Sequence, residues 1–302
     1  MDSSSPSDAV DVPGDNDAVD VAGEVREVTT DGWPSGYIYW ATRYADVILR
    51  ESFSERFTDL VAALEQFHPT LHELRTGGGG RTVFVKRFDD SLAEMTQDGQ
   101  KIWGKQIVTI VKNVQLDGTT LRSSRTHSHE IDMFGKGTLA EPLPGIAVEM
   151  EWNNKDPFYD RDLINFQALH REGAIAIGVI VTRGPALQSL IGPTILSKDK
   201  GLKYGQSSTH WDKLIPKVNL GGGGECPLIL IGIEPPRIVD VQLAQEAKKR
   251  LDDAEDFKAN WRDRGHDRWP GGAKPVYDQM RQEARELMPP LSEVTVQGEP
   301  AE

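Results

Sequence analysis

The chain has one cysteine, Cys226, in 302 residues. That excludes an internal disulfide and any zinc site built from several thiolates, and it fits a reducing compartment. Long apolar runs are missing too. The longest, Ala174–Val181 and Leu228–Ile233, fall far short of the roughly 20 residues that span a bilayer. The first residues, Met1-Asp2-Ser3-Ser4-Ser5-Pro6, have no basic start and no apolar core, so no signal peptide is expected there. A soluble, cytoplasmic protein is the expectation. Positive charge is scarce: 34 Lys+Arg stand against 47 Asp+Glu, a net of −13. Taken whole, that balance argues against a polyanionic partner.

The deficit is uneven. Residues 1–31 hold nine acids and one base, and residues 281–302 five acids and two bases, so the ends carry −8 and −3 and the rest −2. The first stretch also lacks aromatics and apolar periodicity. It reads as a disordered acidic tail, with 289–302 as a second tail. Residues 32–288 are left as a single domain. Its helical N-terminal part precedes a core at about 119–240.

Apolar spacing predicts a helix over 45–67, ended by Pro69. Gly77–Gly80 reads as a loop and Thr82–Val85 as a short strand. Ile107–Val114 reads as a strand closed by the turn Asp117-Gly118, and Thr119 onward leads to a strand ending near Asp132. Ile146–Trp152 is a strand, and Asp162–Arg171 a helix closed by Gly173. Ala174–Val181 and Leu228–Ile233 read as strands buried on both faces, and Val241 to about Arg262 as a charged helix. The order predicts an α/β fold, a mixed sheet with helices on both faces.

Chemistry concentrates at Asp132 and at Glu149-Met150-Glu151. In a strand, Glu149 and Glu151 share one face about 7 Å apart. Two such charges need a proton, a cation or free solvent. If Asp132 lies on the neighbouring strand, three carboxylates converge, a donor set that suits Mg²⁺. The plainer reading, an exposed strand with a polar face, stays open on this pattern alone. Beyond the strand, Asn153, Asn154 and Lys155 offer donors for phosphates or base edges, and Asp160 or Asp162 can cap a helix.

Several blocks in matching order carry more information. They are His129-Glu130-Ile131-Asp132-Met133-Phe134, Gly145-Ile146-Ala147-Val148-Glu149-Met150-Glu151-Trp152-Asn153-Asn154-Lys155-Asp156, Asp160-Arg161-Asp162-Leu163 and Gly178-Val179-Ile180-Val181-Thr182-Arg183. To these add Ser208-Thr209-His210-Trp211-Asp212-Lys213-Leu214-Ile215-Pro216-Lys217 and Cys226-Pro227-Leu228-Ile229-Leu230-Ile231-Gly232-Ile233. Together they resemble the BglII-type restriction endonucleases over about Thr126 to Ile233.

The resemblance implies the PD-(D/E)XK nuclease fold and Mg²⁺-dependent hydrolysis of both strands of double-stranded DNA by a homodimer. It implies 5′-phosphate products, a palindromic and GATC-centred site, and a DNA methyltransferase in the same system. Asp132 and Glu149 would match the metal-binding acids, with the Met150 backbone carbonyl as a further ligand. Glu151 takes the third position, most often Lys in the superfamily and Gln in the namesake enzyme. It would bind metal or act as general base, and Lys155 is the candidate for the missing positive charge. A relative that has lost catalysis, or that cuts only modified DNA, is the alternative.

Other candidates carry two readings each. His127 and His129 flank the acidic strand, as orienting groups or as surface histidines. His210 and Lys213 precede the Gly221–Gly224 loop, as phosphate contacts or as plain helix surface. Arg183 and Lys217 join them as candidates for a basic cleft. The glycine run lacks a following Lys-Ser/Thr, so it is not a nucleotide-binding P-loop. Lys248-Lys249-Arg250 sits among acids and reads as a solvated face.

Overall fold

The computed structural model describes residues 25–76, 82–197, 201–263 and 273–288, with the side chains of 262 and 263 excepted. In chain order the elements are β1 (Arg26–Glu27), β2 (Tyr37–Ala41), α1 (Ala45–Ser52), α2 (Ser54–Gln66), α3 (Leu71–Arg75), α4 (Val83–Ala93), β3 (Thr96–Gln97), β4 (Gln100–Lys101) and β5 (Trp103–Gln106). Then come β6 (Thr109–Leu116), β7 (Thr119–His127), β8 (Ile131–Gly135), β9 (Gly145–Glu151), α5 (Pro157–Arg171), β10 (Ile175–Arg183) and α6 (Pro185–Thr194). The chain continues through α7 (Trp211–Asn219), β11 (Leu228–Ile233), a 3₁₀ turn (Pro235–Arg237), α8 (Val241–Asp263) and α9 (Ala273–Glu286).

Seven strands form one sheet in the order β1-β2-β11-β10-β9-β8-β5. β10 pairs in parallel with β9 and β11, while the outer pairings are antiparallel. The mixed sheet is flanked by helices, as the sequence predicted. The apolar runs at Ala174 and Leu228 become β10 and β11, two adjacent central strands, and every residue of β11 is buried. Apolar side chains of one sheet face join α1 to α4 and α6 in the larger core. Those of the other face pack on α5 and α7 in a second core. Among the described residues no helix is long and apolar enough to cross a membrane.

Four expectations change. The helix expected over 45–67 breaks at Phe53, whose backbone (φ −131°, ψ 43°) ends α1 and starts α2. Thr82–Val85, expected as a strand, opens α4 instead, because Phe84, Val85, Phe88 and Leu92 bury one helical stripe. Helical spacing there overrides the β-branched residues. Residues 25–31 are not all tail: Arg26 and Glu27 pair with Ala41 and Trp40, and Val28 is buried. The segment leading to Asp132 is two strands, so Asp132 lies inside β8 rather than ending it. Residues 1–24 and 289–302, and the Gly77–Gly80 loop, lie outside the described residues.

Candidate active site

β9 alternates as its sequence dictates. Ile146, Val148, Met150 and Trp152 enter the larger core, and Ala147 enters the second. Glu149 and Glu151 share the Ala147 side, and each is only 2% exposed. The solvated-strand reading therefore fails: these are buried acids. Next to them, β8 brings Asp132, whose amide donates to Glu149 Oε1 at 3.3 Å.

The helix after β9 supplies a fourth acid. Pro157, with its φ already fixed near the helical value, starts α5 five residues earlier than the sequence suggested. Asp162 is therefore no cap. It lies on the buried stripe of α5 with Tyr159, Leu163, Phe166 and Leu169, is 1% exposed and faces Glu151. That position was legible in principle, since Asp162 falls in helical register with the apolar residues around it. Arg161 was missed as well. Its guanidinium bonds Asp162 Oδ1 at 2.7 Å and Glu151 Oε1 at 3.4 Å and stacks 4.5 Å from the Phe158 ring centre.

Burial and crowding raise the proton affinity of this group. Glu149 is pushed well above the usual carboxylate range, first by burial and then by the charges of Asp132 and Asp162. Burial, with Asp162 beside it, raises Glu151 to about 8. Asp162 is raised by burial, against the opposing pull of Arg161.

Glu151 is held from both ends. Thr182 on β10 donates its hydroxyl to the Glu151 carbonyl at 2.7 Å, and Tyr159 shares a hydrogen bond of 2.6 Å with that hydroxyl. Asn154 Nδ2 donates to Glu151 Oε2 at 2.6 Å. Asn154 is in turn stitched to Thr209: the Thr209 amide donates to its carbonyl at 2.9 Å, and its own amide to Thr209 Oγ1 at 3.2 Å.

The basic candidates divide. Asn153, Asn154 and Lys155 are exposed beside the acids, and Lys213 is half-buried on α7. Arg183 is a correction. It is fully buried, and its guanidinium bonds Gln188, Ser208 Oγ (2.6 Å) and the Thr209 carbonyl (2.6 Å) under the Tyr204 ring. With both terminal nitrogens bonded inside, it is no surface contact for phosphate. His210 is corrected likewise. It is 1% exposed, and burial, followed by the nearby Arg183 charge, lowers its proton affinity. Lys217 is engaged by Asp156 at 3.4 Å and Asp160 at 2.8 Å. His127 and His129 are exposed, and His129 lies near enough to lower the proton affinity of Asp162.

The donor set suits a hard divalent cation: oxygens only, with Glu149 between two other acids whose repulsion a cation relieves. The cage expected from Asp132, Glu149, the Met150 carbonyl and Glu151 is not drawn together. Among the described residues no three acid, histidine or cysteine side chains are already grouped as a metal site. Glu149 turns to Asp132, while Glu151 turns to Asp162, Asn154 and Arg161.

A family model described as restriction endonuclease BglII/BglIII matches residues 37–233, more than half of the chain. The match runs from the first residue of β2 to the last of β11 and contains all four acids. No curated protein matches the chain.

Proposed function

The chain belongs to the restriction endonuclease BglII/BglIII family, and from that premise we propose a Mg²⁺-dependent, type II-like endonuclease that cuts both strands of duplex DNA and leaves 5′-phosphates. We read the chain from β1 to residue 288 as one nuclease domain with a PD-(D/E)XK core. A homodimer would match a palindromic site, GATC-centred by family likeness, because a two-fold protein fits a two-fold sequence. Such an enzyme needs a methyltransferase in the same system to protect host DNA.

The observation that carries this reading is Glu149, buried beside Asp132 and Asp162 within the family-matched residues. Asp132 and Glu149, with the Met150 carbonyl, would hold Mg²⁺. Bound there, the ion supplies charge neutralisation at the scissile phosphate and its leaving oxygen. Glu151 is placed to take a proton from the attacking water in its ionised form, which burial, by raising its carboxyl to about 8, favours only above neutral pH. Asn154 and Arg161 fix its orientation through the bonds above. Asn153, Asn154, Lys155 and Lys213 are the proposed phosphate and base contacts.

Incubation with plasmid and phage DNA, modified and unmodified, in the presence of Mg²⁺ tests this. The expected result is double-strand cleavage to ligatable 5′-phosphate ends, abolished by chelation and by Glu149→Ala. Cleavage that survives Glu149→Ala, or DNA of every kind left intact by the wild-type protein, overturns the reading. Cleavage confined to methylated DNA would replace it with a modification-dependent activity.

A further inference from the structure

Among the described residues β6 and β7 leave the main sheet and pair only with each other, from Thr109 opposite His127 to Leu116 opposite Thr119. Every residue of this ribbon except Ile110 is exposed. An isolated two-stranded ribbon is marginal in water. Among the described residues this one is anchored near its base. Val108 and Ile110 pack on the second core, Ser128 bonds back to Val108, and Lys112 pairs with Glu172 after α5.

Its charge runs against the rest of the chain. Residues 109–127 hold Lys112, Arg122 and Arg125 against Asp117, a net of +2 in a chain of −13. Arg122 and Arg125 have no ion-pair partner among the described residues. Opposite residues share a ribbon face. Arg125 therefore lies with Val111, and Arg122 with Val114 on the same side as Lys112. Cations stand on both faces. Between them run Asn113, Gln115, Ser123 and Ser124, short polar side chains that suit base edges.

The base of the ribbon is at the acids. His129, two residues beyond β7, donates its amide to Asn165 on α5 at 3.2 Å. Asn165 is three residues from Asp162, and Asp132 is three residues from His129. A duplex lying against the acids would pass the base of the ribbon.

We propose that the β6–β7 ribbon is a DNA-gripping arm that enters a groove of the duplex beside the cleavage position. The major groove is about 12 Å wide and admits a two-stranded ribbon. Eight strand residues at about 3.4 Å reach some 27 Å, well beyond the site. Phosphates line both walls of a groove, so cations are needed on both ribbon faces. A contact with a second copy of this chain calls instead for one apolar, uncharged face. Here Val111, Val114, Leu116 and Leu121 are exposed but interrupted by cations on both sides.

This rests on the nuclease reading, and the test separates the two. Binding of the full-length chain and of Arg122→Gln/Arg125→Gln to long and short duplexes is measured across a salt series. Circular dichroism checks that the fold is intact. The expected variant has a slope of log affinity against log salt shallower by about 2, close to one unit per lost phosphate contact, and loses the preference for long duplex. Arg122→Lys/Arg125→Lys restores the slope. An unchanged slope beside a DNA-binding wild type overturns the arm alone. A variant that falls from dimer to monomer in sedimentation with its slope unchanged makes the ribbon a contact between copies, and this too overturns the arm. A wild type that binds no duplex overturns the nuclease reading and the arm together.

Discussion

Glu149 and Arg183 mark how far single residues could be read. The alternation that puts Glu149 and Glu151 on one side of a strand is a property of any strand, so their shared face was legible. Their burial was not, because it depends on α5 closing over that face. Arg183 shows the opposite error. A basic residue at the end of a buried strand looks like a phosphate contact, yet its whole guanidinium faces inward. There it holds the segment 208–209 that positions Asn154, and through Asn154 it positions Glu151. Truncation leaves Gln188, Ser208 and the Thr209 carbonyl without their donor. Arg183→Ala should therefore cost at least about 3 kcal/mol of stability, at 1–3 kcal/mol for each stranded group. The salt slope of DNA binding, by contrast, should not change. Urea unfolding and the salt series read the two effects separately, and an unfolding midpoint at the wild-type value would show that the buried network contributes little.

Among elements, the central strands were the most legible, because strands buried on both faces are continuous apolar runs. The sequence reading missed α6, which packs on the larger core, and misread the start of α5. For α6 the decisive information is tertiary, and so is how closely α5 packs on the sheet. Gly178 on β10 illustrates it: a Cβ there would lie 2.3 Å from the Phe166 ring, so the glycine is what lets α5 sit close enough to bring Asp162 to Glu151. Another such contact joins β11 to α6. The Glu234 carboxyl lies at the start of α6, facing the amides of Ala186 and Leu187, and burial still raises it to about 7 from 4.5. Between those two pH values the folded state binds more proton than the unfolded chain, so stability falls as pH rises from 4.5 through 7. Below that window both states are protonated and the cost vanishes. Glu234→Gln keeps the hydrogen-bond acceptor and removes the ionisation. Its melting temperature relative to wild type should therefore climb from pH 4.5 to pH 8. Parallel melting curves across that range would refute the assignment.

For the whole molecule, net charge was the most misleading number in the sequence. The −13 suggests a protein repelled by DNA, but seven acids and no base fall in residues 1–24 alone. The composition also blurred a boundary. The acidic stretch continues in character to Asp31, yet the fold begins earlier, with Arg26 and Glu27 paired to β2, Arg26 ion-paired to the buried Asp46 and Val28 in the larger core. Two truncations separate charge from fold. Removing residues 1–24 takes away seven negative charges without touching a described contact. Duplex binding should hold or tighten, most visibly at low salt where repulsion is least screened, and stability should stay close to that of the full chain. Removing residues 1–31 also strips the edge strand and the buried Val28. A single buried valine is worth about 1.5–3 kcal/mol, so this second truncation should bind DNA no better than the first while unfolding at lower denaturant. If the shorter truncation weakens binding, the acidic segment takes part in the complex and is no mere source of repulsion. If the two truncations unfold at the same midpoint, β1 adds nothing to the sheet it borders.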